Sequence, residues 1–346
     1  MSTTRLIVLM AMLTGMGQLP VGLVVPSRPA IADYFVASDD RVKLTFSLFI
    51  LTVACAQLVV GPLSDHFGRK ICIQVGNVVF LLSSLLCAFA PSLGILIAAR
   101  VAQGVGACVP VVVSRAVVRD VHSGEEAARA LAAIGMVMAV APALGPTLGG
   151  FIQVTVGWRG VLAGLGLVAV VLPQRQRVET LPVSRRQPFR IGRIVSVYLS
   201  LLRDRLFMAY SLAVLFSLSG LGAYLAGAPF IFIRLLEIPE PVFGMFSIAN
   251  VGSFAVGSAI ASRFTGKAFT MQAMIVIGGA MNALGGGLLL LLILAGELSV
   301  VTIMGPTVVF FVGMGILVPN AMAAAINRYP DHAGLASAML GFLQFG

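Results

Sequence analysis

Apolar residues fall in long unbroken runs separated by short polar turns, a pattern of membrane-crossing helices rather than of half-buried strands or surface helices. About 20 apolar residues cross a hydrocarbon core roughly 30 Å thick. On that ruler the chain carries ten spans: Leu6–Ile31, Leu44–Val60, Ile71–Ala90, Leu93–Val118, Ala127–Val154, Gly160–Leu172, Phe207–Phe232, Phe243–Ala261, Thr270–Ala295 and Val300–Ala325. A final run, Ala333–Gly346, stops before it could cross, which reads as C-terminal truncation inside an eleventh helix. The sixth run is short, near 20 Å at about 1.5 Å per residue, and needs snorkelling or local thinning of the bilayer.

The one long polar stretch, Pro173–Arg205, is rich in Arg, Pro and Gln and shows no apolar periodicity, so it reads as a linker. The expected organisation is an N-terminal six-helix bundle over residues 1–173, a linker over 174–205 and a partial C-terminal bundle over 206–346. The two halves echo each other: Gly61–Lys70 joins the second span to the third, and a shorter basic turn, Ser262–Lys267, joins the eighth to the ninth. Weak repetition of this kind marks transporters whose substrate site lies between related halves near the midplane.

Composition agrees, because 59% of the residues are hydrophobic and only 10% charged, against about 25% charged in soluble domains. A net charge of +10 would suit a nucleic-acid partner if the basic residues formed one stripe. They do not. Most fall in segments that helix counting places on one side: Arg5, Arg69, Lys70, Arg115, Arg119, Arg129, the arginines from Arg175 to Arg205, Arg263, Lys267 and Arg328. The positive-inside rule makes that side, and the N-terminus with it, cytoplasmic. The partner implied is a lipid bilayer and not nucleic acid. The first run follows a single Arg and lacks a small-residue cleavage site, so it is expected to be a first transmembrane helix rather than a signal peptide. Cys55, Cys72, Cys87 and Cys108 have no CxxC spacing, which argues against a disulfide framework or metal site.

Three stretches carry candidate chemistry. Gly61-Pro62-Leu63-Ser64-Asp65-His66-Phe67-Gly68-Arg69-Lys70 is a tight polar turn. Asp65, placed near the start of the third span, would be favoured by that helix's positive end and by Arg69 or Arg119. In the fourth span, Arg100 lies inside an apolar run with Gln103, Gly104 and Gly106, and Arg119-Asp120 closes it. A membrane-embedded arginine costs about 2.5 to 3.5 kcal/mol on insertion scales; it either faces a polar cavity or snorkels to the outer end. In the fifth span, Ala141-Pro142-Ala143-Leu144-Gly145-Pro146-Thr147-Leu148-Gly149-Gly150 predicts a bent helix that a neighbour approaches closely.

The first of these stretches resembles the loop signature of the major facilitator superfamily, whose implied role is to lock the cytoplasmic ends of two halves. That makes Gly61, Asp65, Gly68, Arg69 and Lys70 a conformational latch. The Arg100-Val-Ala-Gln-Gly-Val-Gly pattern with Arg119-Asp120 is similar to the fourth-helix motif of facilitator drug exporters, which implies a part in proton transfer for Arg100, Gln103, Gly104, Arg119 and Asp120. The fifth-span stretch resembles the antiporter motif, carried by Gly145, Pro146, Gly149 and Gly150. Pro26–Ile31, Ala223–Phe230, Pro319-Asn320-Ala321 and His332–Ala338 extend the resemblance to the Bcr/CflA group of drug:proton antiporters over nearly the whole chain.

That resemblance implies an all-α facilitator fold of two six-helix bundles, the second incomplete, with the first, fourth, seventh and tenth helices lining a cavity that Arg28, Tyr224 and Asn320 would reach. It implies proton-driven export of small, largely apolar compounds across a bacterial inner membrane by a monomer, with the proton gradient in place of any cofactor. Two departures matter. The group's first-helix acid is Gly22 here, and Asp33, Asp65, Asp120, Glu237 and Glu297 all lie near span ends. Arg28 stands where the group has an apolar residue, either as a snorkelling cation or as a recognition point that disfavours cationic drugs. The rivals are a carrier of one metabolite, an inactive truncated product, and an intramembrane enzyme. The last lacks an HExxH motif or paired carboxylates at depth, and nucleotide-driven transport lacks its phosphate loop.

Overall fold

The computed structural model of the chain describes residues 3–122, 124–171, 179–186, 189–238, 240–329 and 333–345. Hydrocarbon offers the backbone no hydrogen bonds, so a crossing segment must close its own, and the apolar runs accordingly form helices. They are α1 (Thr3–Leu23), α2 (Arg28–Phe35), α3 (Asp39–Phe67), α4 (Arg69–Ala88), α5 (Leu93–Val121), α6 (Gly124–Val171), α7 (Ile191–Arg203), α8 (Arg205–Pro229), α9 (Glu240–Phe264), α10 (Met271–Leu294), α11 (Val300–Asn327) and α12 (Ala333–Phe345). Nine helical stretches among the described residues are long and apolar enough to cross a membrane.

Three details differ from the sequence expectation. The first span is interrupted: α1 ends at Leu23, a 3-10 turn runs through Val25–Ser27, and α2 restarts at Arg28. Pro26 and Pro29 lack the N–H that a continuous ladder needs. The fifth and sixth spans share α6, broken only at Gly157, whose φ of 76° and ψ of 173° leave the helical region. The stretch expected to lack periodicity contains α7, an amphipathic helix with Tyr198 and Leu201 buried, while Ile191, Val195, Leu199 and Leu202 stay exposed. The neighbouring arginines, prolines and glutamines mask that pattern in the sequence. Residues 172–178 and 187–188 of the linker and His332 lie outside the described residues, as does the side chain of Pro142.

The chain divides into two compact units, residues 1–198 with 337–346, and residues 199–336. In the first, α1 packs on α5 and α6, and α5 packs on α3 and α4. Its core runs through Met10, Leu13, Phe49, Phe80, Leu96, Val113 and Leu162. The stretch from Ser337, expected to help close the second bundle, makes its polar contacts with this first unit: Gln57 Nε2 donates to the Gly341 carbonyl at 3.3 Å, and Arg115 donates to the Ser337 hydroxyl at 3.2 Å.

In the second unit α11 is central and packs on α8, α9 and α10, with Val214, Phe311, Met314 and Leu317 in its core. Its linker-side end is tied by Asp204. That carboxylate accepts from the Leu206 and Phe207 amides at 2.9 and 3.3 Å, which caps α8, and from the Tyr329 hydroxyl at 2.7 Å and Arg328 Nε at 3.0 Å beyond α11. The Tyr329 hydroxyl above all, with the amides and Arg328, holds the Asp204 carboxyl down to about 2.

A carboxyl depressed in the folded state stabilises it above the unfolded value of about 3.9 and loses that contribution as pH falls towards the folded one. We therefore expect the unfolding temperature to fall between about pH 4 and pH 2 partly through Asp204. In Asp204→Asn it should be lower at neutral pH and fall less steeply over that window, a comparison that thermal unfolding of the purified protein makes directly.

Candidate functional site

Three separated stretches meet around Arg69, at the first residue of α4. The side chain is almost fully buried, and a guanidinium that has left water needs counter-charge and filled hydrogen bonds. Asp120, from the last turn of α5, takes Nε at 2.9 Å and Nη2 at 3.5 Å. Asp65 pairs with Nη1 at 2.6 Å, and the Ser64 hydroxyl accepts from the same nitrogen at 2.6 Å. Arg119 lies within electrostatic reach of both carboxylates, with its Nε directed at the Arg115 carbonyl at 3.5 Å.

Asp65 does not begin the third span. It sits in the last turn of α3, which ends at Phe67, and so at that helix's negative end. Its pairing with Arg69 offsets that placement. The positive end of α4 is served instead by Glu179, 110 residues away along the chain: one carboxylate oxygen accepts from the Arg69 amide at 2.9 Å and the other from the Lys70 amide at 3.1 Å. Lys70 thus takes part through its backbone. Gly68 makes this possible. Its φ is +101°, and a Cβ there would lie 2.5 Å from a Glu179 oxygen and 2.8 Å from the Arg186 guanidinium. Thr180, next to Glu179, donates to Asp120 at 3.3 Å and joins the linker to the same cluster. A Cβ at Gly61 would meet Ala338 at 3.7 Å, an ordinary contact, so this position has room for one.

The fourth-helix group sits deeper. Arg100 is 1% exposed, which removes the snorkelling alternative. Its Nη1 donates to Gln103 Oε1 at 2.5 Å, its Nε to the Thr45 carbonyl at 3.3 Å, and its plane lies 4.1 Å over the Phe49 ring. Gln103 passes the chain on to the Ser84 hydroxyl at 2.7 Å. Gly104 faces α3, where a Cβ would come 2.9 Å from the Phe49 carbonyl. Arg100 and Gln103 are therefore brought together, while Arg119 and Asp120 belong to the Arg69 cluster at the other end of α5.

Of the fifth-span glycines, Gly145 and Gly149 lie against α1: an added Cβ would stand 2.6 Å from Gly22 Cα in the first case and overlap the Leu23 carbonyl in the second. Gly150 only brushes Pro26, and Pro146 is half-buried. In the second unit the Tyr224 ring packs edge-on against Phe311 at 5.8 Å, with its hydroxyl 3.9 Å from Met304 sulfur. Asn320 is buried and engaged at both ends, accepting from Thr265 at 2.9 Å and donating to the Ile316 carbonyl at 2.8 Å. Arg28, in the first unit, lies half-buried with its guanidinium 4.6 Å over Phe46.

Glu179, Thr180, Thr45, Ser84 and Tyr198 were not singled out from the sequence. One signal was available: Glu179 and Asp204 are the only acids between Pro173 and Arg205, and each caps a helix. Tyr198 anchors α7 to α3 through a 2.7 Å bond to the Leu58 carbonyl, and burial raises its hydroxyl above the ordinary phenol range.

A family model described as Major Facilitator Superfamily matches residues 7–346. The uncharacterized MFS-type transporter YdgK of Bacillus subtilis is 34% identical, over 97% of this chain and 84% of that protein. A bicyclomycin resistance protein homolog of Haemophilus influenzae is 31% identical over 99% and 87%, and multidrug resistance protein D of Escherichia coli 28% identical over 98% and 85%. Among solved structures, the proton:xylose symporter XylE of E. coli matches with a TM-score of 0.77 at 13% identity, over 99% of this chain and 87% of that one, a likeness of fold alone.

The two carboxylates on Arg69 are not equivalent. Asp120 makes two contacts and is 17% exposed, whereas Asp65 makes one and is 34% exposed. Asp120→Asn should therefore lower stability by on the order of 2 kcal/mol and Asp65→Asn by less, measured as unfolding temperatures of the purified variants.

Proposed function

Because the chain belongs to the major facilitator superfamily, we propose that it is a secondary active exporter that moves drugs or similar small apolar compounds out of the cell against an inward flow of protons. The observation that carries this reading is the ion cluster of Asp65, Arg69 and Asp120 at the turn between the second and third spans. A transporter that alternates between two faces needs a contact strong enough to hold one end shut and local enough to be released, and a charge cluster at a helix junction has both properties. Drug export, rather than uptake, is supported by the relatives named for bicyclomycin and multidrug resistance. It is also supported by the resemblance of the Gly145–Gly150 stretch to the antiporter motif of exporters, whose Gly145 and Gly149 seat closely on α1.

In this reading the protein works as a monomer in a bacterial inner membrane, with its N-terminus, the Arg69 cluster and the arginine-rich linker on the cytoplasmic side, where positive residues are retained. Arg100 and Gln103 act as the polar element of the fourth span that responds to protonation, and the proton gradient is the energy source. The test is accumulation of a fluorescent drug in cells expressing the full chain, with and without a protonophore, beside Asp65→Asn. We expect low accumulation in the wild type, raised to the level of empty cells by either change. Accumulation equal to empty cells in the wild type contradicts the proposal.

A further inference from the structure

At the end of the first unit away from the linker, two arginines stack on aromatic rings and, among the described residues, make no ion pair with a carboxylate. Arg28 stacks on Phe46 and Arg100 on Phe49, three residues apart on one face of α3. Among the described residues, the ionisable groups acting on Arg100 are Arg28 itself and the Cys87 thiol. The charged group beside Arg28 is Lys43, paired with Asp40 at 2.8 Å and with Asp39 also within electrostatic reach, all three exposed to solvent.

The same place holds the break in the first span. The helix tightens into a 3-10 turn through Val25–Ser27, and α2 begins at Arg28 with the Ser27 hydroxyl fully buried, unused as a cap and, among the described residues, without a hydrogen-bond partner. Arg100 Nη2 is likewise buried without a partner. Two stacked guanidiniums, one half-buried and one fully buried, with two unfilled hydrogen-bonding groups beside them, are together costly unless a negative group joins them.

We propose that this break is a recognition site for an anionic group, a carboxylate or sulfonate, on the transported compound. Arg28 is its direct ligand, the Ser27 hydroxyl a hydrogen-bond donor, and Arg100 a fixed positive charge behind them. The inference rests on the export reading above and narrows the substrate class to small amphipathic anions, with an apolar body suited to the Phe46 face. Cationic drugs are repelled.

A lipid phosphate shares this chemistry, so the test separates the two sources. The full chain, purified into phosphatidylcholine nanodiscs with or without phosphatidylglycerol, is titrated with a fluorescent naphthalene carboxylate and with the neutral carboxamide of the same ring. The carboxylate should bind about tenfold more tightly, the range expected for one charge-assisted contact. Arg28→Gln should bring the ratio near one, while Arg28→Lys keeps part of it. Ser27→Ala, a smaller change, should lower it several-fold.

Equal affinities in the wild type, or a ratio that survives Arg28→Gln, overturn the proposal. Loss of the preference when phosphatidylglycerol is present assigns the site to a lipid headgroup and overturns it as well. A charge preference in binding without export in cells removes the export reading and leaves the anion site standing. Export without a charge preference does the reverse.

Discussion

A guanidinium withdrawn from water is tolerable only if its charge is answered and its donors are filled, and Arg69 meets that demand by drawing three stretches of chain to one point. Asp65 comes from the end of α3, Asp120 from the end of α5, and Arg69 itself from the start of α4. Removing either acid leaves a buried cation partly unanswered, which costs more than the intact pair contributes. The helix ends are thereby held in register, and the close backbone contacts deeper in the unit, such as Gly104 on Phe49, follow from that register.

The linker belongs to the same economy of charge. Its sequence is dominated by arginines, yet its two acids do specific structural work at helix starts. Glu179 fills the first amides of α4 and Asp204 those of α8. The α8 cap comes from the residue immediately before that helix, whereas α4 has none of its own: the residue before it is Gly68, with a positive φ and no Cβ to strike Glu179.

The all-α facilitator fold was legible in the sequence because hydrocarbon allows so few solutions: runs of about 20 apolar residues must be helices, and the loop motif at Gly61–Lys70 located the junction between the second and third spans. A basic partner for Asp65 was legible too, as Arg69 or Arg119, and it is Arg69 that pairs with it. What was not legible depended on distant or local geometry. The bond from Glu179 to the α4 amides spans 110 residues, so Asp65 was given the helix-capping place that Glu179 holds. The burial of Arg100 was left open because an arginine two turns inside a span can either snorkel or turn inward, and only Phe49, Thr45 and Gln103 settle the direction. The amphipathic helix α7 was hidden by flanking arginines and prolines, although its apolar residues repeat at helical spacing.

Taken together, the charge cluster and its linker cap form one unit: Thr180 ties Glu179's segment to Asp120, and Asp120 holds the residue whose amide Glu179 caps. Hydrogen exchange at the Arg69 and Lys70 amides in the full chain, compared between the wild type and Asp120→Asn, tests this unity most directly. Slow exchange in the wild type that becomes fast in Asp120→Asn, although Asp120 bonds neither amide, is the predicted result. Rapid exchange in the wild type, or protection unchanged by the substitution, would contradict the account.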